Sequence, residues 1–180
     1  MNIAPTDADR RAAWCDGFMS TAVDRPRPPL ALLGFLLATF VVAALGGLAT
    51  AGNVDGWYAS ADKPPFNPPN WLFGPVWTVL YIAMAVAAWL VWRTADSPTR
   101  TRFLQVWWVQ LAFNLAWTPT FFAAELLWPA VGVIVVLDVL VALTIVLAWR
   151  VSRVAGSLLL PYLAWVLFAT ALNVSLAVLN

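Results

Sequence analysis

Apolar residues fall in long runs along this chain, separated by short polar segments. Five runs stand out: Leu30–Ala51, Pro75–Trp92, Phe103–Ala123, Leu127–Trp149 and Gly156–Leu179. A helix needs about 20 mostly apolar residues to cross the hydrocarbon core of a bilayer, and each run is close to that length. The pattern predicts an all-α membrane protein, a five-transmembrane-helix bundle over residues 30–180. The first run begins only after the polar residues 1–29 and is longer than the core of a secretory signal, so it reads as a membrane span and not a cleaved leader. Residues 1–29 mix Asp, Arg, Ala and Pro without a sustained apolar face and read as a disordered cytoplasmic arm.

Charge gives the bundle a direction. Arg10, Arg11, Arg25 and Arg27 lie in the arm, Arg93, Arg100 and Arg102 between the second and third runs, and Arg150 and Arg153 between the fourth and fifth. With five spans these segments share one side, and Lys63 alone lies on the other. The positive-inside rule then puts the N-terminus in the cytoplasm and the C-terminus outside. Dropping one span would scatter the arginines over both faces.

Composition narrows the function. The 180 residues are 62% hydrophobic and 11% charged, against about 25% charged in soluble domains. A net charge of +1 gives no long-range attraction for nucleic acid. Histidine is absent, which removes the commonest metal ligand and the usual general base at neutral pH. Cys15 is the single cysteine, so no intrachain disulfide forms. With no Ser/His, Cys/His or metal-ligand constellation, ordinary hydrolytic and metal chemistry is disfavoured.

The segment between the first two runs, residues 52–74, is long for a connection and rich in both rings and prolines. Pro64, Pro65, Pro68, Pro69 and Pro75 restrict its backbone. Trp57, Tyr58, Phe66, Trp71 and Phe73 supply apolar surface unsuited to open water. The combination predicts a stiff flap over the outer end of the bundle, with an interfacial aromatic belt as the alternative. Pro75 is expected in the first helical turn.

Helical spacing puts Trp107, Gln110, Asn114, Trp117 and Phe121 on one face of the third run, Tyr162, Trp165, Ala169 and Asn173 on one face of the fifth, and Trp77, Tyr81, Ala88 and Trp92 on one face of the second. Amides in lipid must find partners. Asn114 and Asn173 therefore read either as helix–helix hydrogen-bonding groups or as polar points in a ring-lined pocket for a flat ligand. Pro119 and Pro161 each free a carbonyl one turn back and permit a kink. Asp138 is the acid deepest within a span, either a functional group or a hydrogen-bonded carboxyl facing the bundle. Ala43, Gly47 and Ala51 form a small-residue stripe suited to close helix packing.

Three strings carry a family resemblance. WYASADKPPFNPPNWLFGPVWTVLY, from Trp57 to Tyr81, resembles the signature of the TspO/MBR family, the tryptophan-rich sensory proteins related to the mitochondrial translocator protein. QLAFNLAWTPTFF, Gln110–Phe122, is similar to the family's third helix, and LPYLAWVLFATALN, Leu160–Asn173, to its fifth. Order and spacing agree from about residue 30 onward. The resemblance implies a five-helix bundle in a bacterial cell membrane, forming a homodimer. It further implies a pocket beneath the first long loop that takes porphyrins and other flat hydrophobic molecules, as ligands and not as cofactors. By motif position that pocket involves Tyr58, Phe66, Trp71, Asn114, Trp117, Trp165 and Ala169.

Two departures stand out. Family members typically carry tryptophan where this chain has Phe66, and in bacterial members that tryptophan is linked to light-dependent breakdown of bound porphyrin; phenyl keeps the stacking face without the easily oxidised indole. After Asn173 the chain reads VSLAVLN, without the Tyr and basic residue of the animal cholesterol motif. That loose motif does match Val54–Tyr58–Lys63, which shows how little it discriminates. The resemblance leaves three function classes: a porphyrin-binding membrane receptor or sensor, a light-dependent porphyrin-degrading enzyme, and a porphyrin or amphiphile transporter. Transporters usually show paired repeats, and five spans do not divide into equal halves, so the receptor is favoured.

Overall fold

A computed structural model describes residues 30–53 and 56–180; the arm, residues 1–29, and Val54 and Asp55 lie outside the described residues. The expected disordered arm and Cys15 fall in that outside part. In chain order the elements are α1 (Leu30–Ala51), the short α2 (Trp57–Ser60), α3 (Asn70–Trp92), α4 (Pro98–Thr118), a π-helical turn (Pro119–Ala123), α5 (Leu127–Val151), α6 (Arg153–Leu158) and α7 (Leu160–Leu179). No strand occurs among the described residues.

Four stretches are long and apolar enough to cross a membrane: α1, α3, α5 and the α6–α7 pair over Arg153–Leu179. The sequence predicts five. The difference is α4, which is 21 residues long but carries Arg100, Arg102, Gln105, Gln110 and Asn114. Its polar side chains divide by position. The arginines sit in its first turns, whereas Gln110 and Asn114 are buried inside the bundle.

The helices form a ring. α1 packs beside α3 and α4, α4 beside α5, and α5 beside α7, while α6 packs against α3 and α5. Contact between α3 and α7 is sparse, so the ring is thinnest there. Leu33, Phe40, Val79 and Val139 are among the exposed apolar side chains on its outside, and Met84, Val91, Phe103 and Trp107 are fully buried within. An apolar exterior over a packed interior is what a lipid solvent requires.

Local chemistry sets the boundaries. The Ser97 side chain accepts from the Arg100 amide at 3.2 Å, and Pro98 opens α4. The Ser152 side chain accepts from the Ala155 amide at 3.3 Å and starts α6. α3 begins at Asn70, before its apolar run, so Pro75 lies inside the helix and not in its first turn as expected. Pro119 and Pro161 act differently. Before Pro161 the chain breaks at Leu159, separating α6 from α7. At Pro119 the ladder widens instead, and the Ala124 amide donates to the Pro119 carbonyl at 2.9 Å, the spacing of a π turn.

Candidate ligand-binding site

The proline-rich loop covers one end of the ring and also descends along its side. The Asn180 side chain accepts from the Asp62 amide at 3.0 Å and donates to the Asp62 carbonyl at 3.1 Å. Further along, Phe66 meets Phe168 with ring centroids 6.3 Å apart, and Phe73 meets Trp165 at 5.8 Å. From residue 62 of the loop to Phe73 at the start of α3 the contacts step down α7 from 180 to 165. The loop thus fills the outer half of the thin α3–α7 joint.

Its other flank is latched to the end of α4. The Trp57 indole donates to the Phe122 carbonyl at 3.0 Å, and the Tyr58 hydroxyl donates to Asn67 Oδ1 at 2.8 Å. Tyr58 is buried against Phe121 and Phe122. That burial pushes its phenol up to about 12, so it stays a neutral donor at physiological pH.

Beneath this flank lies a cavity of about 370 Å³ between α1, α3 and the end of α4. Tyr58, Phe73, Trp77, Tyr81, Trp117 and Phe122 supply its rings. Its rim toward the bundle exterior is built of small residues, Ala43, Gly47 and Ala51 on α1 facing Gly74 and Thr78 on α3. The small-residue stripe of α1 was expected to give close helix packing; instead it borders this opening, and a Cβ on Gly47 would meet nothing within 4 Å. The close approach is at Gly46, where a Cβ would stand 3.4 Å from Thr118 Oγ1.

A buried polar chain underlies the cavity. Tyr81 donates to Asn114 Oδ1 at 2.6 Å, Asn114 Nδ2 donates to the Tyr162 hydroxyl at 3.0 Å, and Tyr162 donates to Gln110 Oε1 at 2.8 Å. The chain joins α3, α4 and α7 through one face of α4. Nearer the loop, the Trp117 indole donates to Asn173 Oδ1 at 3.1 Å, and Asn173 Nδ2 to the Leu127 carbonyl at 3.3 Å. The two asparagines thus serve as interhelix partners, as polar groups in lipid require. Tyr81 connects that network to the cavity wall.

The seven positions implied by the resemblance are spread around this site. Tyr58 and Trp117 line the cavity. Asn114 lies one hydrogen bond behind it. Trp165 and Ala169 are on α7, Trp165 between Phe73 and Phe168 and bordering a separate lipid-facing crevice with Pro75 and Val79. Phe66, 48% exposed, and Trp71, 71% exposed, stand on the outward side of the loop and the start of α3. Phe73, Trp77 and Phe122 line the cavity without having been singled out for it. Trp77 and Tyr81 do share an inward face in the sequence, and they stack at 5.4 Å.

Asp138 pairs with α7, its Oδ2 2.8 Å from the Thr170 hydroxyl, and does not reach the cavity. No group of His, Cys, Asp and Glu suited to a metal occurs among the described residues.

Comparison with known proteins agrees with the family resemblance. The TspO/MBR family model matches residues 35–179. The chain is 40% identical over 154 residues to the tryptophan-rich protein TspO of Archaeoglobus fulgidus, covering 84% of this chain and 97% of that one. It is 39% identical over 150 residues to the human translocator protein, covering 81% and 88% of the two chains. It is also 39% identical over 148 residues to the tryptophan-rich sensory protein of Cereibacter sphaeroides, covering 81% and 91%. With its long apolar helices, its proline- and tryptophan-rich loop and these matches along most of its length, the chain is a multi-pass membrane protein of the TspO/MBR family.

Proposed function

We propose that this protein is a membrane receptor or sensor that binds porphyrins and similar flat hydrophobic molecules in the cavity beneath the loop. The observation that carries the reading is the cavity itself, about 370 Å³ walled by six aromatic rings. Ligand pockets of this kind run from roughly 300 to 1,000 Å³ and are mostly apolar with a few fixed polar groups. A tetrapyrrole is large for the lower end of that range, so one edge of the disc would extend through the small-residue rim between α1 and α3. Tyr58 and Trp117 touch the ligand in this reading, Asn114 holds Tyr81 against it, and Trp165 backs the wall through Phe73, with Ala169 one turn further along α7. Phe66 belongs to the loop that closes over it and Trp71 to the start of α3 beside that loop. The relatives named sensory proteins support a signalling role over a catalytic one.

Five spans complete the proposal, with α4 as the one whose polar groups face inward and the arginine-bearing connections in the cytoplasm. Reporter fusions at the two termini check it, and both ends on the same side would exclude five spans. Binding is checked by titrating the purified protein with protoporphyrin and following tryptophan quenching. The expected result is saturable quenching that Trp117→Ala weakens by about 1–3 kcal/mol, the contribution of one large buried side chain. Equal weakening by Trp128→Ala, on the exposed start of α5, would refute the site.

A further inference from the structure

We infer that Lys63 is the carboxylate anchor of this cavity: it holds an acidic edge of the ligand at the loop end while the apolar body lies among the rings. The inference rests on the ligand class proposed above and adds its orientation and charge. Among the described residues the cavity lining contains no charged side chain. Several lining donors already have their hydrogens committed, Tyr58 to Asn67, Tyr81 to Asn114 and Trp117 to Asn173. An ionised carboxylate set among these rings without a cation would be strongly disfavoured, so the acid must lie at the loop end of the cavity, with the apolar edge of the disc toward the α1–α3 rim. Among the described residues one cation stands beside a ring of that wall. The Lys63 ammonium is 5.0 Å from the centroid of the Tyr58 ring, which itself forms part of the wall. It donates to the Ala59 carbonyl at 2.9 Å and the Ala61 carbonyl at 3.3 Å, which fixes its position. An ammonium has three donors, and no acidic side chain among the described residues pairs with it. The other described basic residues, Arg93, Arg100, Arg102, Arg150 and Arg153, lie at the opposite ends of the helices. The structure therefore assigns the site a preference for flat apolar rings bearing a carboxylate over their neutral counterparts.

The test compares protoporphyrin, a dicarboxylic acid, with its uncharged dimethyl ester, using the full chain in nanodiscs of zwitterionic lipid and tryptophan quenching as readout. Lys63→Gln should weaken the acid about ten- to hundredfold, the range for a hydrogen bond to a charged group, and leave the ester nearly unchanged. Lys63→Arg should keep the preference for the acid, and added salt should weaken the acid alone. Equal losses for acid and ester in Lys63→Gln would show that Lys63 only braces the loop through its two carbonyl contacts, and overturn the anchor while leaving the cavity reading intact. No change for either ligand would also overturn it. Failure of both ligands to bind the unmodified protein would instead remove the ligand class, and the anchor with it.

Discussion

Asn114→Ala removes the hub of the buried polar chain, and its cost can be worked from the structure. Asn114 is 2% exposed and makes two interhelix hydrogen bonds, to Tyr81 on α3 and Tyr162 on α7. Interhelix bonds in membrane proteins average about 0.6 kcal/mol each, so the pair sets a floor near 1 kcal/mol. The two partners then fare differently. Tyr162 keeps Gln110 as its acceptor, whereas the Tyr81 hydroxyl, on a residue 8% exposed, loses its acceptor at 2.6 Å. A buried donor without a partner adds about 1–3 kcal/mol. The position magnifies the effect, because α3 and α7 have little other contact to hold them together. The expected loss is about 2–4 kcal/mol, the sum of these contributions, measured by detergent-titrated unfolding in mixed micelles. Tyr81→Phe removes one member of the same pair, so the two changes combined should cost less than their sum by about 1 kcal/mol. A loss below about 0.5 kcal/mol for Asn114→Ala, or strict additivity with Tyr81→Phe, would refute a hub at this position.

Gly47→Phe should fill the rim of the cavity and lower porphyrin affinity at least about tenfold while unfolding stays unchanged, since nothing lies within 4 Å of that Cβ position; unaltered affinity would place the ligand elsewhere. Gly156→Ala should destabilise by about 1–3 kcal/mol, because its Cβ would stand 2.7 Å from Trp149 Cγ at the α5–α6 corner, and an unchanged unfolding midpoint would mean Trp149 swings aside freely. For Tyr58 the buried neutral form is favoured over a phenol of ordinary value 10.0. Loop closure should thus be independent of pH below 10 and weaken as pH climbs toward about 12, and Tyr58→Phe should flatten that stretch of the profile. Under illumination, Phe66→Trp should leave the bleaching rate of bound porphyrin unchanged, because Phe66 packs on Phe168 outside the cavity lining, whereas Trp77→Phe should slow any bleaching there is.

Much of this was legible because lipid and helix geometry both leave period-based marks. The face Trp107, Gln110, Asn114, Trp117 and Phe121 can be written down from spacing alone, and all five are buried. The loop's role as cover follows from its rings and prolines. What spacing cannot give is the neighbour. A face is a property of one helix, but a cavity belongs to three, and only the assembled ring shows that Trp77, Phe73 and Trp117 line one space. Small residues are ambiguous for the same reason. Gly46 and Gly47 are adjacent and alike in sequence, yet one admits Thr118 and the other opens a rim. α4 is legible in its buried face and not by hydropathy, because its inward amides count against it on any average over the helix.

The path of residues 62–73 down the side of α7 bears on why this stretch is so rich in proline. Its non-helical part, residues 62–69, packs beside apolar rings, where an amide donor without a partner costs several kcal/mol by estimate. Pro64, Pro65, Pro68 and Pro69 have no N–H to strand. The Asn67 amide donates to the Pro64 carbonyl at 3.0 Å, and the Leu72 amide to the Pro69 carbonyl at 3.0 Å. The irregular part, residues 62–69, therefore has few amides to satisfy, and its side of the bundle can be walled by a proline-stiffened strap held at Asn67 and Asp62 by side-chain bonds to Tyr58 and Asn180.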